Sequence, residues 1–261
     1  MPNRPPTKPD FPTSLTITLT SPPKSTSSST TSHPPPNILI LLHGLGDTHT
    51  PFTSLATSLN LNETTVLTIQ APYTLPFSLP GFHWGDDINF DSRTGALDMD
   101  AGFEKTTKLL VQEIVVGILI KKCGYSLREI LLWGFGQGGV LGVICAEKIH
   151  GIEGGGELGG VISIGGAFPL SLAGKRTGGA GGKEKKSRTP ILLVAGRDSE
   201  VVTENAVKRT KDVFEFVEVH YYSRRGDTMP RSREEMMPIM RLLGRRLRSW
   251  QGVPEGSVEI S

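Results

Sequence analysis

Glu129-Ile130-Leu131-Leu132-Trp133 runs directly into Gly134-Phe135-Gly136-Gln137-Gly138-Gly139. A short apolar run of this kind reads as a buried strand, and the 3.6-residue periodicity that resumes over Gln137–Ile149 reads as a helix. Strand, sharp glycine-rich turn and helix are the setting of a nucleophile elbow, G-x-S-x-G, in which close packing of strand against helix leaves no room for side chains at the flanking glycines. Here the frame is Gly134-x-Gly136-x-Gly138, and glycine stands where the nucleophile would be. The same residues also spell G-x-G-x-x-G through Gly134, Gly136 and Gly139, a dinucleotide fingerprint. That reading wants an acid at the end of the next strand to hold a ribose. The next strand, Val161–Ile164, ends in Gly165-Gly166-Ala167-Phe168 and supplies none.

Outward from this turn the same alternation repeats. Strand-like runs fall at Leu15–Leu19, Asn37–Leu42, Thr65–Gln70, Val161–Ile164, Ile191–Ala195 and Val217–Tyr222, and several are continuously apolar, as strands covered on both faces are. Helical periodicity fills Asp98–Ile120, Gln137–Ile149, Val201–Val213 and Arg233–Trp250. The alternation predicts an α/β fold with a mostly parallel central sheet and helices on both faces. Ligands in such sheets bind beyond the carboxyl ends of the strands, so the strand-to-helix turns are where chemistry is expected.

Composition limits the partners. Lys plus Arg number 28 and Asp plus Glu 26, a net charge of +2 that is too small for a dedicated nucleic-acid binder. Two cysteines, Cys123 and Cys145, are too few for a disulfide framework or a cysteine-based zinc site, and no metal or other cofactor is expected. The longest apolar stretch, Leu109–Ile120, carries Gln112 and Glu113 and is too short for a transmembrane segment, while Met1–Pro12 has Pro and Asp where a secretory leader needs an apolar run. A cytoplasmic protein is the expectation. Ten of the 19 prolines lie in the first 36 residues and 13 of the 31 glycines between Gly151 and Gly182, so both biases are local. Residues 1–36 read as a Ser/Thr/Pro-rich, partly flexible segment with one edge strand, 37–250 as one domain with a low-complexity Gly/Lys loop at about 174–189, and 251–261 as a tail. Arg241, Arg245, Arg246 and Arg248 suit the C-terminal end of a helix dipole.

A second turn, Leu41-Leu42-His43-Gly44-Leu45-Gly46-Asp47, follows the strongest strand. With Ala71-Pro72-Tyr73, Phe82-His83-Trp84-Gly85-Asp86, Asp98-Met99-Asp100-Ala101-Gly102, Gly134–Gly139, Ala167-Phe168-Pro169-Leu170 and Glu235-Met236-Met237, it resembles the acyl-protein thioesterase and carboxylesterase family over about residues 37 to 248, with the motifs in order. The resemblance implies an α/β-hydrolase fold, no cofactor, and a Ser-His-Asp mechanism acting on carboxylic esters and S-acyl thioesters of lipidated proteins. It further implies oxyanion-hole amides at Leu45 and Gln137 and an acyl site near Trp84 and Phe168. His43 is expected to be structural. The family's acid lies in a turn G-x-x-D-x-x-V; Gly196-Arg197-Asp198 has its Asp one residue early, and Asp198 is the expected acid.

Two of the three reacting positions depart from the family. Where it reads G-F-S-Q-G-G, this chain has Gly136 in place of serine. The family's histidine lies three residues after a glycine and six before the Glu of an E-M pair; counting from Gly226 and back from Glu235 gives Met229 both times. The other histidine in the region, His220, lies inside a strand. Loss of serine or histidine from a working triad costs on the order of 10⁶ in turnover, which leaves an oxyanion hole and a pocket. The sequence therefore predicts a catalytically impaired relative that binds an acyl group or an S-acylated protein partner. The rival is a weak hydrolase in which Asp198 activates water directly.

Overall fold

The computed structural model describes residues 4–23, 33–88, 102–152, 155–173 and 185–251. Most of the Ser/Thr/Pro tract, Asp98–Ala101 of the helix-start motif, much of the Gly/Lys loop and nearly all of the tail lie outside the described residues.

Seven strands form the main sheet: β1 (Ile17–Thr20), β2 (Asn37–Leu42), β3 (Thr64–Ile69), β6 (Ile130–Phe135), β7 (Gly160–Ile164), β8 (Ile191–Ala195) and β9 (Val217–Tyr221). Their order is β1-β3-β2-β6-β7-β8-β9. Every pairing is parallel except that of β1, which lies antiparallel on β3. A small separate hairpin, β4 (Tyr73–Thr74) with β5 (Phe82–His83), rises beside the sheet. All six residues of β2 are buried, and alternation of side chains explains why the run is continuously apolar. Ile38, Ile40 and Leu42 enter one core with Leu110, Ile114, Val140 and Ile144, while Leu39 and Leu41 enter the opposite core with Phe52, Ile239 and Leu242. Each such side chain contributes roughly 1.5–3 kcal/mol by leaving water.

Helices α1 (His49–Leu59) and α6 (Arg233–Arg246) cover the second face; α2 (Glu104–Lys108), its continuation Leu109–Ile120, α3 (Gln137–His150) and α5 (Glu204–Val213) cover the first, and α4 (Leu170–Ala173) is a single turn. Sequence periodicity does not show α1, because Thr and Ser dilute its apolar face. The helix forms because Phe52 and Ala56 are buried, and Asn60 ends it in the left-handed region; Thr53, Ser54, Thr57 and Ser58 turn their hydroxyls onto carbonyls four residues back, which does not favour helix. The helix expected over Asp98–Ile120 starts, within the described residues, at Glu104, where the Asp86 carboxylate accepts the amides of Glu104 and Lys105 at 2.6 and 2.9 Å. From Leu109 it is wound wide, and past its end Lys121 and Cys123 donate to carbonyls five residues back.

Two helix ends are corrected. α5 begins at Glu204 rather than Val201 because Thr203 caps it, its hydroxyl accepting from Ala206. α6 stops at Arg246 rather than Trp250 because the chain turns extended at Leu247 to meet Asn37, whose side chain bonds both the amide and the carbonyl of Arg248.

Candidate active site

Strand β6 delivers Gly136 at φ 52°, ψ −120°, a conformation outside the wells open to residues with a Cβ, and α3 starts at the next residue. The bend is held by the Gly136 amide on the Ile164 carbonyl at 2.8 Å. The glycines around it follow from crowding. A Cβ on Gly134 would lie 2.1 Å from the Gly138 carbonyl oxygen, one on Gly138 2.4 Å from that of Leu42, and one on Gly139 2.4 Å from Ser163 Oγ. The three glycines of the dinucleotide spelling are thus each accounted for by the elbow.

The His43 turn stands against this elbow. A Cβ on Gly44 would meet the Phe135 ring at 2.7 Å, and the carbonyls of Leu42 and His43 leave no room for one on Gly138. Leu45 is half-buried at the top of the turn. The hairpin backs it: Gly46 donates to the Phe82 carbonyl and Phe82 to that of Asp47. Leu45 and the start of α3 at Gln137 therefore belong to two abutting turns. The Gln137 side chain does not point outward; its Oε1 accepts the Trp84 amide at 3.0 Å, and Trp84 Nε1 donates to the His43 carbonyl at 2.8 Å. Trp84 is 1% exposed and Phe168 equally so, the latter edge-on to Phe214 with its amide on Thr210 Oγ1, so both are packed inside the fold. His43 is fully buried; its Nε2 accepts the Ala71 amide, which leaves the hydrogen on Nδ1, directed at the Gly44 carbonyl. Burial holds its pKa below the usual histidine value.

The two loops that would carry acid and base are zipped together. Asp198 turns outward, its side chain 49% exposed: Oδ1 accepts the Gly226 amide at 2.8 Å, and Arg225 lies 3.8 Å from Oδ2. The Gly226 amide, with help from Arg225 and Arg197, holds its carboxyl below the ordinary range. Asp227 is the carboxylate that turns inward. Its Oδ1 accepts the Gly196 amide at 2.8 Å, its Oδ2 the Ser199 hydroxyl at 2.7 Å, and a Cβ on Gly165 would come within 2.7 Å of its own Cβ. Gly165 directly follows Ile164, the residue that holds the elbow amide.

The sequence reading gave no place to Ser199 or Asp227, which the folded loops bond together. The spacing Gly196-x-x-Ser199-x-x-Val202 also fits G-x-x-D-x-x-V, with Ser199 at the fourth position. Nothing in the sequence marks Asp227, which becomes visible only when the two loops are folded together.

Met229 is half-buried against the core beneath α1 and α6, and its carbonyl accepts from Arg224. Arg224 also grips both oxygens of Glu235, at 2.6 and 2.9 Å, donates to Thr228 Oγ1, and lies over the Tyr222 ring. This pairing raises the guanidinium pKa and lowers that of the carboxyl. His220 lies in β9 with its ring edge-on to Tyr222. Cys145 is deeply buried and its thiol pKa is pushed up by burial. Among the described residues no group of three or more His, Cys, Asp or Glu is gathered as a metal site needs, and no helix is long and apolar enough to cross a membrane.

A mostly parallel sheet, an elbow at the end of β6 and an abutting turn after β2 define an α/β-hydrolase. The chain belongs to the phospholipase/carboxylesterase family of that fold, whose model matches residues 27–242. An uncharacterized hydrolase of Schizosaccharomyces pombe is 35% identical over 140 residues, 52% of this chain and 55% of that protein. The chain spans about half the length of the curated relatives it matches. The solved esterase PE8 superposes with a TM-score of 0.67 at 19% identity, covering 89% of this chain and 99% of its own. Acyl-protein thioesterase 2 of Zea mays superposes at 0.61 and 17% identity, with the same coverages. At these identities both show the fold alone.

Proposed function

We propose that this chain is an acyl-binding member of its family that no longer performs serine-hydrolase chemistry, its ligand an acyl group or an S-acylated protein. The observation that carries this is Gly136: the elbow keeps its bend and its crowded glycine frame, yet the residue at its apex has no oxygen to attack a carbonyl. The base position, Met229, is likewise an apolar packing residue. Oxyanion stabilisation by preorganised amides does not depend on the missing groups, which supports assigning Leu45 and Gln137 to recognition of a carbonyl oxygen. The alternative, water activation by Asp198, is disfavoured because that carboxylate already accepts a backbone amide, faces Arg225 and is a weakened base.

The experiment is an esterase and palmitoyl-thioesterase assay on wild type, Gly136→Ser, Met229→His and the double variant. Activity confined to the double variant is the expected result. Robust wild-type turnover that survives Asp198→Asn would overturn the proposal.

A further inference from the structure

We propose that Asp227, carried by the loop after β9, is the carboxylate of this site, having taken over from the facing loop the place that Ser199 now occupies on the loop after β8. The inference rests on the functional reading above. In a Ser-His-Asp site the acid's work is to orient an imidazole and stabilise its charge, and it acts by position rather than by which loop carries it. Here the register of Gly196 and Val202 puts a serine at the acid's place. The Ser199 hydroxyl hydrogen points to Asp227 Oδ2 across 2.7 Å, so the link between the two loops survives with its polarity reversed: hydroxyl from the first loop, carboxylate from the second.

The carboxylate is also seated. The Gly196 amide fixes Oδ1, while Ser199 Oγ itself accepts the Val202 amide at 2.9 Å and is thereby held in place to donate. Glycine at 165 and 196 permits the approach: φ is +64° at Gly165, whose missing Cβ would collide with Asp227, and a Cβ on Gly196 would sit 2.3 Å from the Gly226 oxygen. Asp198 accepts one backbone amide, that of Gly226, but no hydroxyl. It faces solvent from the outer side of the same pair of loops.

The test has two parts. The first uses Met229→His in the otherwise native chain and follows the introduced imidazole by NMR. An imidazole at 229 that pairs with Asp227 is expected to titrate about 1 pH unit above a free histidine. Asp227→Asn should abolish that rise and Asp198→Asn should leave it. The second part exchanges the partners: Asp227→Ser with Ser199→Asp should restore the rise lost in Asp227→Asn. A rise that vanishes with Asp198→Asn instead, or no rise in the presence of all three side chains, overturns the proposal. This readout needs no turnover. A rise governed by Asp227 in a double variant (Gly136→Ser, Met229→His) that stays inactive would refute the degraded-triad reading and leave the placement of the acid intact.

Discussion

His43 Nε2 accepts the backbone amide of Ala71 at 2.9 Å inside a fully buried pocket, which joins the turn after β2 to the end of β3. This fixes the imidazole as neutral. Protonation would put a second N–H against the Ala71 donor and a charge in the core.

The consequence is a pH-dependent stability with a definite sign. Burial lowers the His43 pKa in the folded state relative to the unfolded value of about 6.5. The unfolded chain therefore takes up a proton that the folded chain resists. The contribution is fully present above about pH 6.5 and is lost as pH falls from there toward the folded pKa. Urea midpoints should drop between about pH 7.5 and pH 5.5, and the drop should be smaller in His43→Gln. Equal drops in both proteins would mean that the histidine is not held neutral.

Gly136→Ser should lower stability by about 1–3 kcal/mol, since serine would have to occupy φ 52°, ψ −120°. Equilibrium denaturation measures it directly. An unchanged or raised midpoint would show that the elbow is unstrained. Gly138→Ala should be far worse, because its Cβ would fall 2.4 Å from a backbone oxygen that cannot move without shifting β2.

The strand-to-helix turns were legible because their causes are local. Gly134, Gly138 and Gly139 are forced by contacts between neighbouring elements, and a buried strand such as Asn37–Leu42 has few other ways to satisfy its apolar run. The inward Asp227 was not legible, because its partners lie 28 and 31 residues away and come near only through the pairing of β8 with β9. Helix α1 was hidden for a different reason: its Thr and Ser residues compete for backbone bonds, and only tertiary burial of Phe52 and Ala56 decides in favour of helix. For Trp84 and Phe168, the places in the motifs say nothing of the direction in which either ring packs.

Arg224 is expected to hold the loop of residues 223–232 by its fork on Glu235 and its bond to the Met229 carbonyl. Arg224→Ala should speed limited proteolysis in that loop and lower the melting temperature. Arg224→Lys should rescue only in part, since an ammonium cannot reproduce a planar two-point contact while lying over Tyr222. Full rescue by lysine would show that charge alone suffices.

Asn37 closes the opposite end of the sheet. Its Nδ2 donates to the carbonyls of Glu63 and Arg248 at 3.1 and 2.8 Å, and its Oδ1 accepts the Arg248 amide at 2.8 Å, so a single side chain ties β2, the start of β3 and the chain after α6. The group is fully buried, and Asn37→Ala would leave an amide and two carbonyls unsatisfied at about 1–3 kcal/mol for each group that water cannot reach. Asn37→Asp should be no better, because a carboxylate can accept from Arg248 but can give nothing to the two carbonyls. Loss of the contact should also free the Trp250 ring, whose Nε1 rests on the Pro34 carbonyl. A red shift of Trp250 emission below the global unfolding transition, read in a variant with Trp84 and Trp133 replaced by Phe, is therefore expected in both Asn37 variants. Its absence would mean that the segment after α6 is held by Glu63, which bonds Ser249 and the Trp250 amide, without help from Asn37.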